Sequence, residues 1–289
     1  MRERLKLPQV TIFSADSAYV ELTARALARS IEQCEFGDAI LCSDQKVDGP
    51  FRHIPVNPIR SIQEYSNLLR TMLPQLIRTQ FVLNIQWDGY VINPSRWTSA
   101  FLKQDYIGAT WHGIFGPGRR VGNGGFSLRS RRLIDAMARL PLIEAKPMDQ
   151  VICHIYRPRL ESEFGVQFAS ERLADRFAFE FKPTDAFGFH GFQNMWRVLD
   201  DADLQEVART VWRGKFNHVK SLRLISDAFL GERKALAKRL YSDLRDTTTY
   251  SKMIDLAANM GPGYESPATQ GIIEALEEDV GSSGSAKSA

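Results

Sequence analysis

Four short stretches carry residue types whose spacing could do chemistry. The first is FVLNIQWDGY, residues 81–90. Its apolar half reads as a buried strand, and Asp88 stands just past its end. In an open α/β sheet that end faces the ligand crevice. A carboxylate there can hold a divalent ion that bridges a diphosphate; it can equally be a turn Asp beside Gly89. The second is VGNGGFSLRS, residues 121–130. Asn123-Gly124-Gly125 lets the backbone approach a ligand and reach positive φ, and Ser127 and Arg129 can add polar contacts. This is neither GxGxxG nor Walker A, so dinucleotide and P-loop readings lose support. The third is Asp149, which opens the apolar stretch 151–155; it suits a general base on an acceptor hydroxyl or a helix N-cap. The fourth is FGFHGF, residues 187–192. There His190 suits a transition metal, a phosphate contact or a structural donor role. Trp111-His112 closes a strand and suits either stacking on a sugar ring or an ordinary core position. Arginines are numerous between Arg119 and Arg176; the guanidinium fork suits phosphate, while solvated faces and surface ion pairs account for most of them.

The elements that must position these residues alternate. Val10–Phe13 predicts a buried strand ending in the polar turn Ser14-Ala15-Asp16. Residues 19–33 carry apolar positions at Val20, Ala24, Leu27, Ala28 and Ile31, the spacing of an amphipathic helix. A second strand follows at Ala39–Cys42, ending at Ser43-Asp44. Strand, helix, strand is a βαβ unit, hence a parallel sheet. Residues 62–77 predict a helix with Ser61 as N-cap and a kink or break at Pro74. Further strands are expected at 81–85 and 105–110, a strand edge at 126–129, a helix at 131–140 and a last strand at 167–170. After residue 195 the pattern is helical, with helices expected over 200–220, 221–230, 233–244 and 250–258. The expected organisation is a domain over 1–195, a helical extension over 196–280 and a disordered polar tail over 281–289.

Composition bounds the classes. The chain has 289 residues, 44% apolar and 25% charged, with a net charge of only +3. That is an ordinary soluble globular mix and not an obvious nucleic-acid binder. The first 195 residues hold 24 basic and 20 acidic side chains against 13 and 14 in the remainder, an asymmetry consistent with an anionic ligand in the first part. Three cysteines without CxxC spacing imply a reducing compartment and no disulfide framework. The N-terminus lacks a signal-like apolar run and no stretch approaches a membrane span, so the expected address is cytoplasmic, with peripheral association at the inner face of the membrane.

The order of these pieces resembles a GT-A glycosyltransferase. The segment YSNLLRTMLPQLIRTQFVLNIQWDGYVI is similar to the stretch before the DxD motif of sugar-nucleotide transferases, with Gln86-Trp87-Asp88 in place of DxD and Arg70 at the helix arginine. GNGGFSLRS resembles the acceptor- and donor-facing loop of β-galactosyltransferases. Asp149 matches the acidic position after it, and His190 the late His that completes a metal site. QWDGYVINPSRW, DYIGATW and GNGGFSLRS together look like an uncharacterised bacterial group of glycosyltransferase-like proteins, over roughly residues 8–195.

The resemblance implies an α/β, GT-A-like (Rossmann-like), mainly parallel sheet. It implies sugar transfer from a nucleoside diphosphate sugar to a saccharide or lipid-linked hydroxyl acceptor, in bacterial surface polysaccharide or glycan synthesis. Phe13, Ser14, Ala15 and Asp44 would hold the base and ribose. Arg70 and Gln86 would contact the donor, and Asp88 with His190 a divalent metal, Mn or Mg. Asn123, Gly124 and Gly125 would line the sugar and acceptor pocket beside Trp111 and His112, with Asp149 the base of an inverting displacement. Gln86 departs from the carboxylate of DxD, which weakens the metal. The rival readings are a noncatalytic sugar-nucleotide-binding module acting through its helical C-terminus, which is also the candidate surface for homo-oligomers, and a nucleotidyltransferase. The latter would want a Gly-rich basic loop after the first strand, where this chain has FSADSAYV.

Overall fold

The structure, a computed structural model, describes residues 3–111, 115–144, 146–214, 219–245 and Leu276. The chain divides into two compact units, Met1–His190 and Gly191–Ala289. The helix expected over 250–258, the tail 281–289 and His112 lie outside the described residues.

The first unit is α/β. In chain order its elements begin with β1 (Leu5–Ala15), α1 (Val20–Gln33), β2 (Cys34–Ser43), β3 (Arg52–Pro55), α2 (Ile62–Leu76) and β4 (Phe81–Ile85). Two 3₁₀ turns, Pro94–Arg96 and Ser99–Lys103, lead to β5 (Tyr106–Gly108), β6 (Phe126–Ser130) and α3 (Arg131–Arg139). After α4 (Met148–Gln150) the chain passes through a π-type turn, Val151–Ile155, into α5 (Arg157–Phe164), α6 (Glu171–Phe177), β7 (Ala178–Phe179) and β8 (Gly188–Phe189).

Six strands form one sheet in the order β3-β2-β1-β4-β6-β5. β1 is parallel to β2 and β4, and β2 to β3, while β6 runs antiparallel to β4 and β5. The chain therefore steps outward on one side of β1 and then crosses to the other. The switch lies between β1 and β4, and ligands of open α/β sheets bind outside the carboxyl ends of such a pair. Ser14 Oγ ties the two ends together by donating to Ile85 O at 2.7 Å.

Local sequence accounts for most of this. β1 and β4 bury Val10, Ile12, Phe13, Val82, Leu83 and Ile85 almost completely. α1 buries Val20, Leu22, Thr23, Ala26, Leu27 and Ser30, a stripe rotated from the expected Ala24–Ala28 positions toward Ala26. Ser61 caps α2 by accepting from Glu64 N at 3.1 Å. Pro74 sits in the last turn of α2, which ends two residues later.

Two expectations are corrected. Residues 126–129 are not an edge but a strand between β4 and β5. Residues 167–170 are not a strand. Phe168 makes a single bridge to Tyr106, and Ser170 caps α6, accepting from Leu173 N, so its side chain commits the segment to a helix start.

The second unit is helical in its described residues. A 3₁₀ segment, Phe192–Arg197, precedes α7 (Asp201–Arg213), α8 (Val219–Leu230) and α9 (Lys234–Arg245). Asp200 caps α7 through Asp203 N at 2.8 Å. Leu222, Leu224, Ile225 and Leu236 are buried, and Trp212 Nε1 donates to Ser221 Oγ at 2.9 Å. No helix among the described residues is long and apolar enough to cross a membrane. The three cysteines are buried free thiols.

Candidate functional site

The site is built on the carboxyl end of β4. Past Ile85, Gln86 N donates to Gly125 O at 2.8 Å and Gly89 N to Gln86 O at 3.0 Å. That turn sets Asp88 down at only 3% exposure. Because β6 runs antiparallel to β4, with Ile85 opposite Phe126, the Asn123–Gly125 segment before β6 arrives at the same edge. Asn123 takes the left-handed backbone, φ 61°, which Asn tolerates better than most residues. Its Oδ1 accepts from Gly125 N (3.0 Å) and Phe126 N (3.3 Å) and so closes the turn. The glycines serve closeness instead. A Cβ on Gly125 would stand 2.0 Å from His190 Nε2 and 2.7 Å from Gln86 Oε1.

His190 follows β8 and meets the β4 end from the other side. Its Nε2 lies 3.2 Å from both Asp88 Oδ1 and Gln86 Oε1. Its Nδ1 lies 3.2 Å from Glu180 Oε1. Asn123 Nδ2 donates to Glu180 Oε2 at 2.6 Å and stands 2.8 Å from His190 Nδ1, two donors side by side on one carboxylate. Burial pushes this imidazole toward neutrality, but the charge of Asp88 and hydrogen bonds to Asp88 and Glu180 outweigh it and lift its pKa from 6.5 to about 9. Without a metal, the group is an imidazolium between two buried carboxylates.

Asp149 joins from α4. Its Oδ2 accepts from Gly124 N at 2.8 Å and its Oδ1 from Gln150 N at 2.8 Å. Asn84 Nδ2 donates to Gly124 O at 2.7 Å and lies 3.4 Å from Tyr65 OH. Burial pushes the Tyr65 phenol up, opposed by the charge of Arg129 and by hydrogen bonds with Asn84 and Gln86.

Of the expected residues, the structure brings together Gln86, Asp88, Asn123, Gly124, Gly125, Asp149 and His190. Others are committed elsewhere. Phe13 and Ser14 are fully buried and Ala15 nearly so, so their side chains do not face a ligand. Asp44 is exposed past β2. Trp111 is 6% exposed and packs on Phe115 and His154 with ring centroids 5.4 and 5.3 Å away, a core position and not an open stacking platform. Arg70 reaches Ala138 O and Leu140 O, both at 3.4 Å, at the end of α3. Tyr65, Asn84 and Glu180 were not expected. Glu180 had a readable signal, a lone carboxylate in the aromatic run FAFEF of residues 177–181.

The donor set available to a divalent ion is Gln86 Oε1 and His190 Nε2, which stand over the Cβ-free face of Gly125, and Asp88 Oδ1, 3.2 Å from His190 Nε2. Among the described residues no group of three His, Cys, Asp or Glu side chains is placed to hold an ion. One carboxylate, one amide and one imidazole are donor types that a divalent transition ion accepts, whereas Mg²⁺ keeps to oxygen ligands.

Fold and site together define an α/β protein with a buried polar cluster at the switch point of a mostly parallel sheet. Residues 49–194 match DUF5672, a family described as protein of unknown function, and the chain belongs to that family. The matched span contains every residue of the cluster above. Among solved structures the chain is similar to a glycosyltransferase involved in the glycosylation of the major capsid of PBCV-1. The identity is 14% and the TM-score 0.40, over 63% of this chain and 91% of that one. No curated protein matches the chain.

Proposed function

We propose that the protein transfers a sugar from a nucleoside diphosphate sugar to a hydroxyl of a saccharide or lipid-linked acceptor. The observation that supports this reading is the meeting of three remote segments, 86–88, 123–125 and 149, with His190, at the carboxyl edge of β4 beside β1. The nucleoside lies against the backbone at the end of β1, and its diphosphate lies toward Asp88, Gln86 and His190. A divalent ion held by those three side chains would neutralise charge on the departing diphosphate. Gly124 and Gly125 let the backbone close onto Asp149, His190 and Gln86, against which the sugar would lie. Asp149, fixed by two backbone N–H groups, takes the proton of the acceptor hydroxyl. The acceptor oxygen bonds to the anomeric carbon, the carbon–oxygen bond to the diphosphate breaks, and the configuration inverts.

Incubation of the full chain with a panel of sugar nucleotides, with and without Mn²⁺, tests this through nucleoside diphosphate release. Release from one donor supports transfer chemistry, since such an enzyme leaks donor to water. Binding of a donor with no release under any acceptor condition favours instead a noncatalytic sugar-nucleotide-binding module, the alternative to which the neutral Gln86 lends weight.

A further inference from the structure

Glu180 is the member of the buried cluster to which the proposed chemistry gives no task. It stands one residue past β7, as His190 stands one residue past β8. The two strands pair in parallel with Phe179 opposite Phe189, and His190 N donates to Phe179 O at 2.9 Å. This register sets the two side chains next to each other on one face. We infer that Glu180 is a positioning residue: its carboxylate accepts the Nδ1 proton of His190 and so leaves the Nε2 lone pair for a divalent ion beside Asp88 and Gln86. The inference rests on the ion site of the proposed transfer and goes beyond it in naming the group that makes His190 a ligand.

Three observations carry it. First, an imidazole that gives Nε2 to an ion keeps its one ring proton on Nδ1, and that proton needs an acceptor. Nδ1 stands 2.8 Å from Asn123 Nδ2 and 3.2 Å from Glu180 Oε1. An amide nitrogen donates and does not accept, so the acceptor of this pair is the carboxylate. Second, Asn123 cannot turn its amide over. Its Oδ1 accepts from Gly125 N and Phe126 N, which keeps Nδ2 on Glu180 Oε2 at 2.6 Å. Glu180 thus takes a donor on each oxygen. A carboxylate can do so, whereas an amide of the same shape has one oxygen and one NH₂. Third, Glu180 is 7% exposed within the aromatic run of residues 177–181. A carboxylate buried there is costly unless donors meet it, and both donors named above come from segments that shape the ion site.

Titration of the full chain with Mn²⁺, followed by the spin-resonance signal of the free ion, tests this without any sugar nucleotide. The expected result is that wild type binds an ion that Asp88→Asn loses. Glu180→Gln weakens binding by about 10- to 100-fold, the usual effect of removing the partner of a ligating histidine, because its NH₂ must face either Asn123 Nδ2 or His190 Nδ1. Adding Asn123→Asp to Glu180→Gln gives that NH₂ an acceptor and returns an oxygen to Nδ1, so the double variant recovers most of the affinity. A loss of packing alone would not be repaired by this exchange. Equal Mn²⁺ affinity of wild type and Glu180→Gln overturns the proposal, as does a folded double variant that binds no better than Glu180→Gln. If a variant does not fold, wild type decides. With Zn²⁺ bound, nitrogen NMR of histidine-labelled protein shows His190 coordinated through Nε2 and protonated at Nδ1; a ring coordinated through Nδ1, or not at all, overturns the proposal. No Mn²⁺ binding by wild type removes the ion site and the proposal together, and leaves transfer to be judged by nucleoside diphosphate release. Glu180-dependent Mn²⁺ binding in a protein that releases no nucleoside diphosphate keeps the positioning role and removes the transferase reading.

Discussion

Asp149 Oδ2 accepts a 2.8 Å hydrogen bond from Gly124 N, joining residues 25 apart in the chain. This relationship changes what Asp149 is. Pro147, not Asp149, holds the N-cap position of α4, so the capping role open to it from sequence gives way to a tie with the glycine loop. Asp149→Asn keeps an oxygen for the Gly124 N–H but cannot take a proton. Turnover should fall by about 10²–10⁴-fold, the usual contribution of a positioned base, with donor affinity nearly unchanged and the melting temperature lowered only by the lost bond from Gln150 N. Transfer kinetics beside a donor titration check this, and near-normal turnover by the folded variant would remove the base.

His190 compensates Asp88 and Glu180 at once. His190→Gln leaves two buried carboxylates without their cation, and breaking such a pair costs about 3–5 kcal/mol. The sign with pH follows from the raised folded value of about 9. In metal-free protein the stabilisation is fully present below the unfolded value near 6.5 and is lost as pH rises through about 9. Urea unfolding of wild type and variant from pH 6 to pH 10 should show a gap that closes toward the alkaline end; a constant gap would contradict the ion pair.

Gly125→Ala probes the converging atoms directly. Its Cβ would stand 2.0 Å from His190 Nε2, so the ring must move. The expected cost is about 1–3 kcal/mol of overpacking together with loss of donor binding, read by denaturation and by titration. Full donor affinity in this variant would show that the convergence does not serve the ligand.

The buried thiols give a simpler check. Burial pushes Cys34 and Cys42 up to about 12, against smaller opposing effects of Arg4 and Arg52. At pH 8 the native protein should react with a thiol reagent far more slowly than the same protein in denaturant. Rapid native labelling would contradict their burial.

The strands β1, β2 and β4 are legible in the sequence because buried parallel strands are continuous apolar runs. The α2 start is legible because Ser61 stands where its oxygen can cap. The direction of β6 is not, since five residues such as FSLRS carry no sign of which way they run. Residues 167–170 mislead for a related reason: a short apolar stretch beside a Ser suits a strand or a helix entry equally. At the site, Asp88 and His190 are legible by type and by position beside a strand end and glycines. Tyr65 and Asn84 are not, because their role arises only when α2, β4 and the Asn123–Gly125 turn meet in space. Arg70 shows the converse. Its helix is where expected, but its guanidinium reaches the carbonyls of Ala138 and Leu140 at the end of α3, and no periodicity foretells that direction.

The central claim is that the β4 edge binds a nucleoside diphosphate sugar through Asp88. Thermal unfolding of wild type and Asp88→Asn with a panel of nucleoside diphosphates and their sugars, with and without Mn²⁺, tests it most directly. A ligand at about 100 times its Kd stabilises by about 2.7 kcal/mol. The account predicts that one nucleotide series raises the wild-type melting temperature and that the rise is largely lost in a folded Asp88→Asn protein. No stabilisation by any member of the panel, or the same rise in both proteins, would contradict it.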